Sequence, residues 1–177
     1  MKCPTCGLSV KATAIPDYHY KGSGLPHVHL DHSVYRYDCA KRHSFIEIPG
    51  MERLHDAIAY QLLKKRTLLT SEEFKFLRKW VGLTAEKLSA LLGFKSRITI
   101  SRYENGRKVI NGASDHAMRL LILRLKEQCI NERMNMEIEM HEWLLGITGK
   151  SKPAQITINS DTLKNLPFGQ SKHLVNG

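Results

Sequence analysis

The sequence predicts an α+β protein that is mostly helical, with a small β-rich N-terminal unit followed by a helix-turn-helix domain. Residues 1–50 are rich in Cys, His, Tyr, Gly and Pro and contain strand-like runs at 8–15, 34–38 and 44–48. After Pro49 and Gly50, apolar residues recur at helical spacing, and glycines divide them into short helices. With 42% hydrophobic and 25% charged residues among 177, the chain can form a packed core, which excludes wholesale disorder.

The N-terminal unit, residues 1–50, has too few apolar residues for a core of its own, so we expect a bound metal ion to stabilise it. Cys3 and Cys6 form a Cys-Pro-x-Cys-Gly knuckle, whose glycine permits a tight turn. Cys39 and His43 supply a second pair at Cys-x₃-His spacing. Three thiolates and one imidazole suit a structural Zn²⁺ in a closed site, with no open position for a reactive water.

Spacing leaves the fourth zinc ligand open, because a standard second knuckle has its ligand at position 42, where this chain has Arg42. Other imidazoles in the unit are alternatives to His43, namely His19, His27, His29 and His32. A dithiol redox pair and a site that has lost its metal are further alternatives. The redox alternative requires a βαβ setting that this segment does not show.

The residues after the zinc unit form a series of short helices. Apolar residues of 54–62 lie on one helical face that ends at basic residues 64–66, and we assign 51–69 as a helical linker. Thr70 and Glu73 make a capping box at the start of the next helix. We expect Thr84 to cap the following helix and Ser114 or Asp115 to cap a longer one. Residues 128–177 have no assigned role; we expect a helix at 138–145, a linker, a short strand at 156–158, a tail, and a buried Cys129.

Segment 77–106 has the pattern of a helix-turn-helix, with a recognition helix over 97–105. Ile100 and Tyr103, three residues apart, can share its buried side. The N-terminal end of such a helix meets base edges in the major groove, so we expect base contacts from Arg97, Ile98, Thr99 and Arg102. The net charge supports a nucleic-acid partner, because +8 of the total +10 lies in residues 52–127.

The run Ser-Arg-Tyr-Glu-Asn-Gly at 101–106 resembles the Cro/repressor (XRE) type of helix-turn-helix. The resemblance implies a five-helix DNA-binding domain, here 70–127, that is usually dimeric. It also implies a structural ion pair between Glu104 and Arg78. Arg97 and Arg102 can each make a bidentate contact with guanine, and Ile98 can pack on a thymine methyl group. Phosphate contacts are expected from Lys87, Ser96, Ser101, Asn105, Arg107 and Lys108.

Together with the knuckle at 3–7, the stretches at 15–22, 37–39 and 68–79 resemble the YgiT/MqsA-type antitoxin family of bacteria. That resemblance covers about residues 1–127. It implies an antitoxin or stand-alone regulator whose helix-turn-helix half dimerises on a palindromic operator of double-stranded DNA, while the zinc half holds a toxin or another protein. Zinc would serve folding only. We expect a homodimer interface formed by Met118, Leu121 and Leu125.

The sequence favours a DNA-binding autorepressor that is not an enzyme. The alternative within the same family is a toxin-neutralising protein in which DNA binding is secondary. A zinc enzyme that uses His27, His29 and His32 is the third hypothesis, disfavoured because no glutamate stands at a general-base spacing. No apolar run reaches the ~18–20 residues that cross a bilayer, and no secretory signal is present. We therefore expect a cytoplasmic, nucleoid-associated protein, where cysteines favour metal chemistry over disulfides.

Overall fold

The computed structural model describes residues 1–126, 147 and 150–166. Its N-terminal sheet unit is followed by a helical region, as the sequence predicts. In chain order the described strands are β1 (Lys11–His19), β2 (Val28–Asp38), β3 (Ser44–Glu47) and β4 (Ile156–Ile158). The described helices are α1 (Met51–Leu63), α2 (Ser71–Trp80), α3 (Ala85–Leu91), α4 (Ile98–Glu104), α5 (Gly112–Lys126) and α6 (Ser160–Lys164). None of these helices is long and apolar enough to cross a membrane.

The sheet is built around β2, its longest strand. β1 runs antiparallel along one edge of β2, with a bulge between Ile15 and Asp17. The other edge of β2 is shared, because β3 pairs antiparallel with its C-terminal end and β4 pairs parallel with its N-terminal end. Val28, Leu30 and Val34 of β2 are buried, whereas most residues of β1 are exposed. β2 therefore supplies the inner face of the sheet, and β1 forms its outer border.

The strand predicted at 156–158 is present, and its pairing brings the C-terminal segment back to the N-terminal unit. On the way, the Ala154 N–H donates to Glu73 Oε1 at 2.7 Å and the Ser151 hydroxyl donates to the Leu69 carbonyl at 2.9 Å. Leu163 of α6 is buried. Residues 150–166 thus return to the sheet and the helices, and Ile156, Ile158 and Leu163 are buried in the core.

Helix α1, within the segment 51–69 assigned as a helical linker, packs into the core of the protein. Its Leu54, Ile58 and Leu62 have no exposed surface and join one hydrophobic cluster with residues of the sheet, α2, α4 and α5. The small sheet lacks a core of its own, so it is completed by the helices that pack on it. This single cluster includes buried residues from Tyr20 in the N-terminal unit to Leu163 in α6.

Two of the predicted helix caps are present, and one prediction is wrong. Thr70 and Glu73 form the predicted capping box, and the Thr84 hydroxyl accepts from the Lys87 N–H. α5 begins at Gly112, two residues before the predicted Ser114 cap, and the Asn111 side chain accepts from the Ser114 N–H at 2.8 Å. Asn111 therefore takes the capping role, and Ser114 lies inside the helix with its hydroxyl 3.1 Å from the Tyr103 hydroxyl. The helix predicted at 138–145 and Cys129 lie outside the described residues.

Candidate DNA-binding surface and metal centre

Helices α3 and α4 form a bihelical unit joined by residues 92–97. α3 begins at the Thr84 cap and ends before Gly93, which has a φ of +71°. Glycine adopts this left-handed backbone conformation without strain, whereas most other residues do not. Gly93 therefore allows a sharp turn after α3. The Ser96 hydroxyl then accepts from the Ile98 N–H at 3.2 Å and satisfies one donor at the start of α4.

The inner side of α4 is held by aromatic packing. Ile100 and Tyr103 are buried, as their spacing predicts. The Tyr103 ring meets Phe74 of α2 and Phe94 of the turn edge-on, with centroids 5.8 and 6.0 Å away. Its hydroxyl lies 3.1 Å from the Ser114 hydroxyl of α5. Tyr103 therefore ties α4 to the helix before the motif and to the helix after it.

An ion pair fixes the C-terminal end of α4. Arg78 of α2 donates through Nε and Nη2 to the two carboxylate oxygens of Glu104, at 2.5 and 2.9 Å. Arg78 Nη1 also donates to the Leu83 carbonyl at 2.7 Å, which holds the α2–α3 turn. The two side chains are only 12% and 8% exposed. The pair lies inside the motif and joins α2, the turn and α4.

The outer side of α4 presents the residues predicted to contact bases. Arg97 and Arg102 are exposed, and the Ile98 side chain is 56% exposed. Thr99 is half-buried, so it is the least accessible of the four. An exposed isoleucine between two exposed arginines is an arrangement suited to the apolar and bidentate contacts of major-groove recognition.

The residues predicted to contact phosphates are all exposed: Lys87, Ser96, Ser101, Asn105, Arg107 and Lys108. Two of them bond to each other, since Asn105 Nδ2 donates to the Ser101 carbonyl and hydroxyl oxygens at 2.9 and 3.3 Å. The Lys108 ammonium lies 5.3 Å from the centre of the Tyr103 ring. These residues form a polar and basic margin around α4.

The predicted dimer residues divide between core and surface. Met118 has no exposed surface, because it lies on the inner side of α5 one turn from the buried Ile122. Met118 therefore has no surface that a second protomer could contact, and its predicted place in a dimer interface is wrong. Leu121 is half-buried and Leu125 is 40% exposed. Leu120, which the sequence reasoning missed, is 48% exposed.

Sequence reasoning also missed a buried charge network that supports the motif. Arg119 and Asp115 of α5 are fully buried and paired at 2.7 Å. Arg119 also donates to the carbonyls of residues 62, 63, 65 and 67, at the end of α1 and in the following loop. The available signal was the i, i+4 spacing of two opposite charges beside the apolar stripe of α5.

A second buried pair joins the loop after α1 to α2. Lys65 and Glu73 are 8% and 3% exposed and 2.5 Å apart. Burial lowers the pKa of Lys65, and the Glu73 carboxylate offsets part of that effect. Glu73 Oε2 also accepts from the Thr70 N–H. The basic residues at 64–66 follow the C-terminal end of α1, as the sequence predicts, and Lys65 among them also has a structural role.

In the N-terminal unit, Cys3, Cys6, Cys39 and His43 form one cluster, with their ligand atoms all within 4.8 Å of one another. Cys6 Sγ lies 3.3 Å from Cys39 Sγ, and Cys3 Sγ lies 3.6 Å from His43 Nδ1. Zn–S bonds of about 2.3 Å place tetrahedral ligands about 3.7 Å apart, so the four side chains fit such an ion. Among the described residues this is the sole such group of three or more ligands. The alternative ligands at positions 19, 27, 29 and 32 are not in it.

The backbone explains why the fourth ligand stands at His43. The first knuckle closes with Gly7 N–H donating to the Cys3 carbonyl, and Gly7 has a φ of +72°. In the second knuckle Arg42 N–H donates to the Cys39 carbonyl, and Arg42 itself takes a left-handed φ of +61°. The turning position is therefore occupied by Arg42, and the next residue reaches the cluster.

Within the cluster, the pKa values of the Cys3 and Cys6 thiols are shifted in opposite directions. Burial raises the pKa of Cys3, but hydrogen bonds from the Thr5 and Cys6 backbone and from Cys6 and His43 side chains outweigh it and lower the pKa to about 6. The Leu8 backbone lowers the pKa of Cys6, but the neighbouring thiols and burial raise it above its ordinary value overall. A thiolate at Cys3 is the form that a metal ion binds.

Residues 74–113 match the family model described as Helix-turn-helix. The match begins within α2, covers all of α3 and α4, and ends at the start of α5. No curated protein and no solved structure matches the chain. The chain therefore carries an XRE-type helix-turn-helix domain, which is a domain of DNA-binding transcription regulators, next to a possible metal site.

Proposed function

We propose that this protein is a sequence-specific transcription regulator that represses its own operon, reading a palindromic operator with α4. The observation that carries the proposal is the composition of α4. Its inner residues and the Arg78–Glu104 pair hold it in place, while Arg97, Ile98 and Arg102 are exposed within a segment that matches a helix-turn-helix family. The +8 charge of residues 52–127 adds sequence-independent affinity through counterion release.

The proposed operator is palindromic because a two-fold dimer presents two recognition helices one DNA turn apart. We propose that exposed leucines of α5 form the dimer contact, with Leu120 and Leu125 replacing Met118 in the predicted set and Leu121 contributing its exposed part. The side chains of Leu120 and Leu125 are 48% and 40% exposed, so burying them against a second protomer would remove apolar surface from water. The phosphate contacts of the margin around α4 would set the register of each half-site.

We propose Zn²⁺ for the cluster of Cys3, Cys6, Cys39 and His43, because three sulfurs and one imidazole are a typical structural zinc set. When bound, the ion would cross-link the two knuckles. It would take part in no reaction step, because protein side chains would fill all four coordination positions. Accordingly, we propose a binding protein and not an enzyme.

The test is binding of the purified full-length protein to its own upstream DNA, measured by fluorescence anisotropy with nonspecific competitor and a salt titration. We expect a competitor-resistant complex that weakens with salt. Arg102→Ala should cost about 1–3 kcal/mol of discrimination, since it removes one bidentate base contact. Arg36→Ala, an exposed arginine on β2, is the matched control and should bind like wild type. Fully competed binding, or wild-type affinity in Arg102→Ala, would refute the proposal.

The second candidate function is neutralisation of a toxin by the N-terminal unit, with DNA binding secondary. It is favoured by β1, whose residues are mostly exposed and which pairs only with β2 among the described strands. An unpaired strand border can accept an added strand from a partner protein. A pull-down with Thr13→Lys, which places a charge on that exposed border, against wild type distinguishes this function. A partner lost in the variant while operator binding persists would support it, and equal capture would count against it.

A further inference from the structure

We propose that Lys150 and Lys152, on the C-terminal segment that returns to the core, bind the phosphate backbone of duplex DNA beside the contacts of α4. Their role rests on the proposed function, and it extends the DNA-binding surface beyond the matched segment 74–113. Both lysines are exposed, and they flank Ser151, whose hydroxyl donates to the Leu69 carbonyl at 2.9 Å. The two lysines are therefore held next to the loop that precedes α2.

Two hydrogen bonds fix the segment 150–154 against the start of α2. In addition to the bond from Ser151, the Ala154 N–H donates to Glu73 Oε1 at 2.7 Å. Glu73 is itself held in place, because its other carboxylate oxygen accepts from Lys65 Nζ at 2.5 Å. Since this backbone is already ordered, only the lysine side chains lose conformational freedom when they bind an anion.

The start of α2 also lies next to the loop that follows the recognition helix. A Cβ added at Gly106 would lie 3.7 Å from the Ser71 hydroxyl oxygen. Gly106 begins the loop that carries Arg107 and Lys108, both exposed and both predicted to contact phosphates. Ser71 follows Leu69, which anchors the lysine segment, by two positions. The loop after α4, the start of α2 and the C-terminal lysines are therefore successive neighbours.

The charge of these neighbouring segments favours a polyanion. Within residues 66–72, 105–111 and 150–154, five cationic side chains are exposed: Arg66, Arg107, Lys108, Lys150 and Lys152. One exposed carboxylate opposes them, Glu72 in the first turn of α2. Duplex DNA carries one negative charge per ~1.7 Å of helix axis, so a row of cations beside a recognition helix meets phosphates of the same duplex. Contacts of this kind add affinity and carry no sequence information.

The test compares wild type with the double variant Lys150→Ala/Lys152→Ala by fluorescence anisotropy across a salt titration. Each protein is measured on its own upstream DNA and on a nonspecific duplex of the same length. We expect the variant to bind both duplexes more weakly, with the ratio of the two affinities unchanged. The slope of log affinity against log salt should become shallower by about 2, because each lost phosphate contact removes about 0.9.

Lys164→Ala is the matched control, because it removes an exposed lysine from the same C-terminal segment at a distant place. The neighbouring Leu163 lies against Gly50, at the start of α1, where an added Cβ would be 3.2 Å from Leu163 Cδ1. Lys65 follows the other end of α1, and a helix of 13 residues is about 20 Å long. The control should keep the wild-type affinity and salt slope.

Glu72→Gln gives a change in the opposite direction, because it removes the exposed carboxylate of these segments. It should raise the affinity for both duplexes. Specific binding by wild type together with a control-like salt slope in the double lysine variant would overturn the role of the lysines and leave the proposed function intact. A loss confined to the upstream DNA would also overturn it, since every sequence offers the same phosphates. Fully competed binding by wild type would refute the proposed function itself.

Discussion

Replacing Glu104 with alanine should lower stability, whereas replacing Arg102, two residues earlier, should lower DNA affinity. Glu104 accepts two hydrogen bonds from Arg78, and neither side chain is more than 12% exposed. In Glu104→Ala the Arg78 guanidinium still donates to the Leu83 carbonyl. It loses its charge partner, however, and remains largely buried. The expected loss therefore includes the desolvation cost of an unpaired charge as well as the two bonds.

The magnitude follows from that burial. Breaking a fully buried ion pair costs about 3–5 kcal/mol, and a hydrogen bond to a charged group contributes about 1.5–3 kcal/mol. Because Arg78 reaches some solvent, we expect the lower part of this combined range, about 2–3 kcal/mol. For a chain of this size each kcal/mol lowers Tm by about 2–4 °C, so Tm should fall by roughly 4–12 °C.

The assay is thermal unfolding followed by circular dichroism, together with operator binding by anisotropy below both melting temperatures. Glu86→Ala, an exposed glutamate in the first turn of α3, is the control and should melt like wild type. Arg102→Ala should keep the wild-type Tm and bind the operator more weakly, by about 1–3 kcal/mol. A Glu104→Ala protein that melts with the Glu86→Ala control would show that the pair does not anchor α4, and the reasoning would fail.

Three further predictions concern stability. Arg119→Met should reduce the free energy of unfolding by about 3–5 kcal/mol, because it leaves the fully buried Asp115 without its charge partner. The double variant Arg119→Met/Asp115→Asn should lose less stability than the two single variants added together. Urea denaturation measures these losses, and additive values would contradict the prediction. Burial lowers the pKa of His55, with Asp56 offsetting part of the shift, so the folded state binds fewer protons and stability should fall as pH drops through the unfolded value of about 6.5. A Tm that falls no further in wild type than in His55→Gln between about pH 7.5 and about pH 5.5 would disprove it. Chelation should remove about one zinc per chain and lower the wild-type Tm, whereas Cys6→Ser should begin at the lower Tm and resist further change; an unchanged wild-type melt would exclude a structural metal.

The helix-turn-helix was accessible to sequence reasoning because its signals are local. Thr70 and Thr84 cap helices through hydrogen bonds three residues along the chain, and glycines at 93 and 106 take the left-handed backbone after α3 and α4. The 3.6-residue period assigned Ile100 and Tyr103 to the inner side of α4. Such features depend on dihedral preference and on spacing within one element, which a sequence displays directly.

Failures of the sequence reasoning involve residues whose partners are far along the chain. Met118 fits an apolar stripe whether it faces the core or a second protomer, and only packing decides between them. The sequence accounts for Lys65 as a basic residue after a helix, and only the structure shows that it is buried beside Glu73. The burial of α1 likewise depends on the sheet and α2, which meet it from different parts of the chain.

By itself, the sequence determined the Cys3–Cys6 knuckle, the helix-turn-helix pattern and the outward arc of α4. Those properties depend on neighbours a few residues apart. Only the tertiary structure decided that His43 completes the cysteine cluster, that β4 joins β2, and that His29 meets His19 and not His27 or His32. The reason is that strand register and long-range pairing depend on the packing of the whole core, and composition and periodicity carry no measure of distance between separate elements.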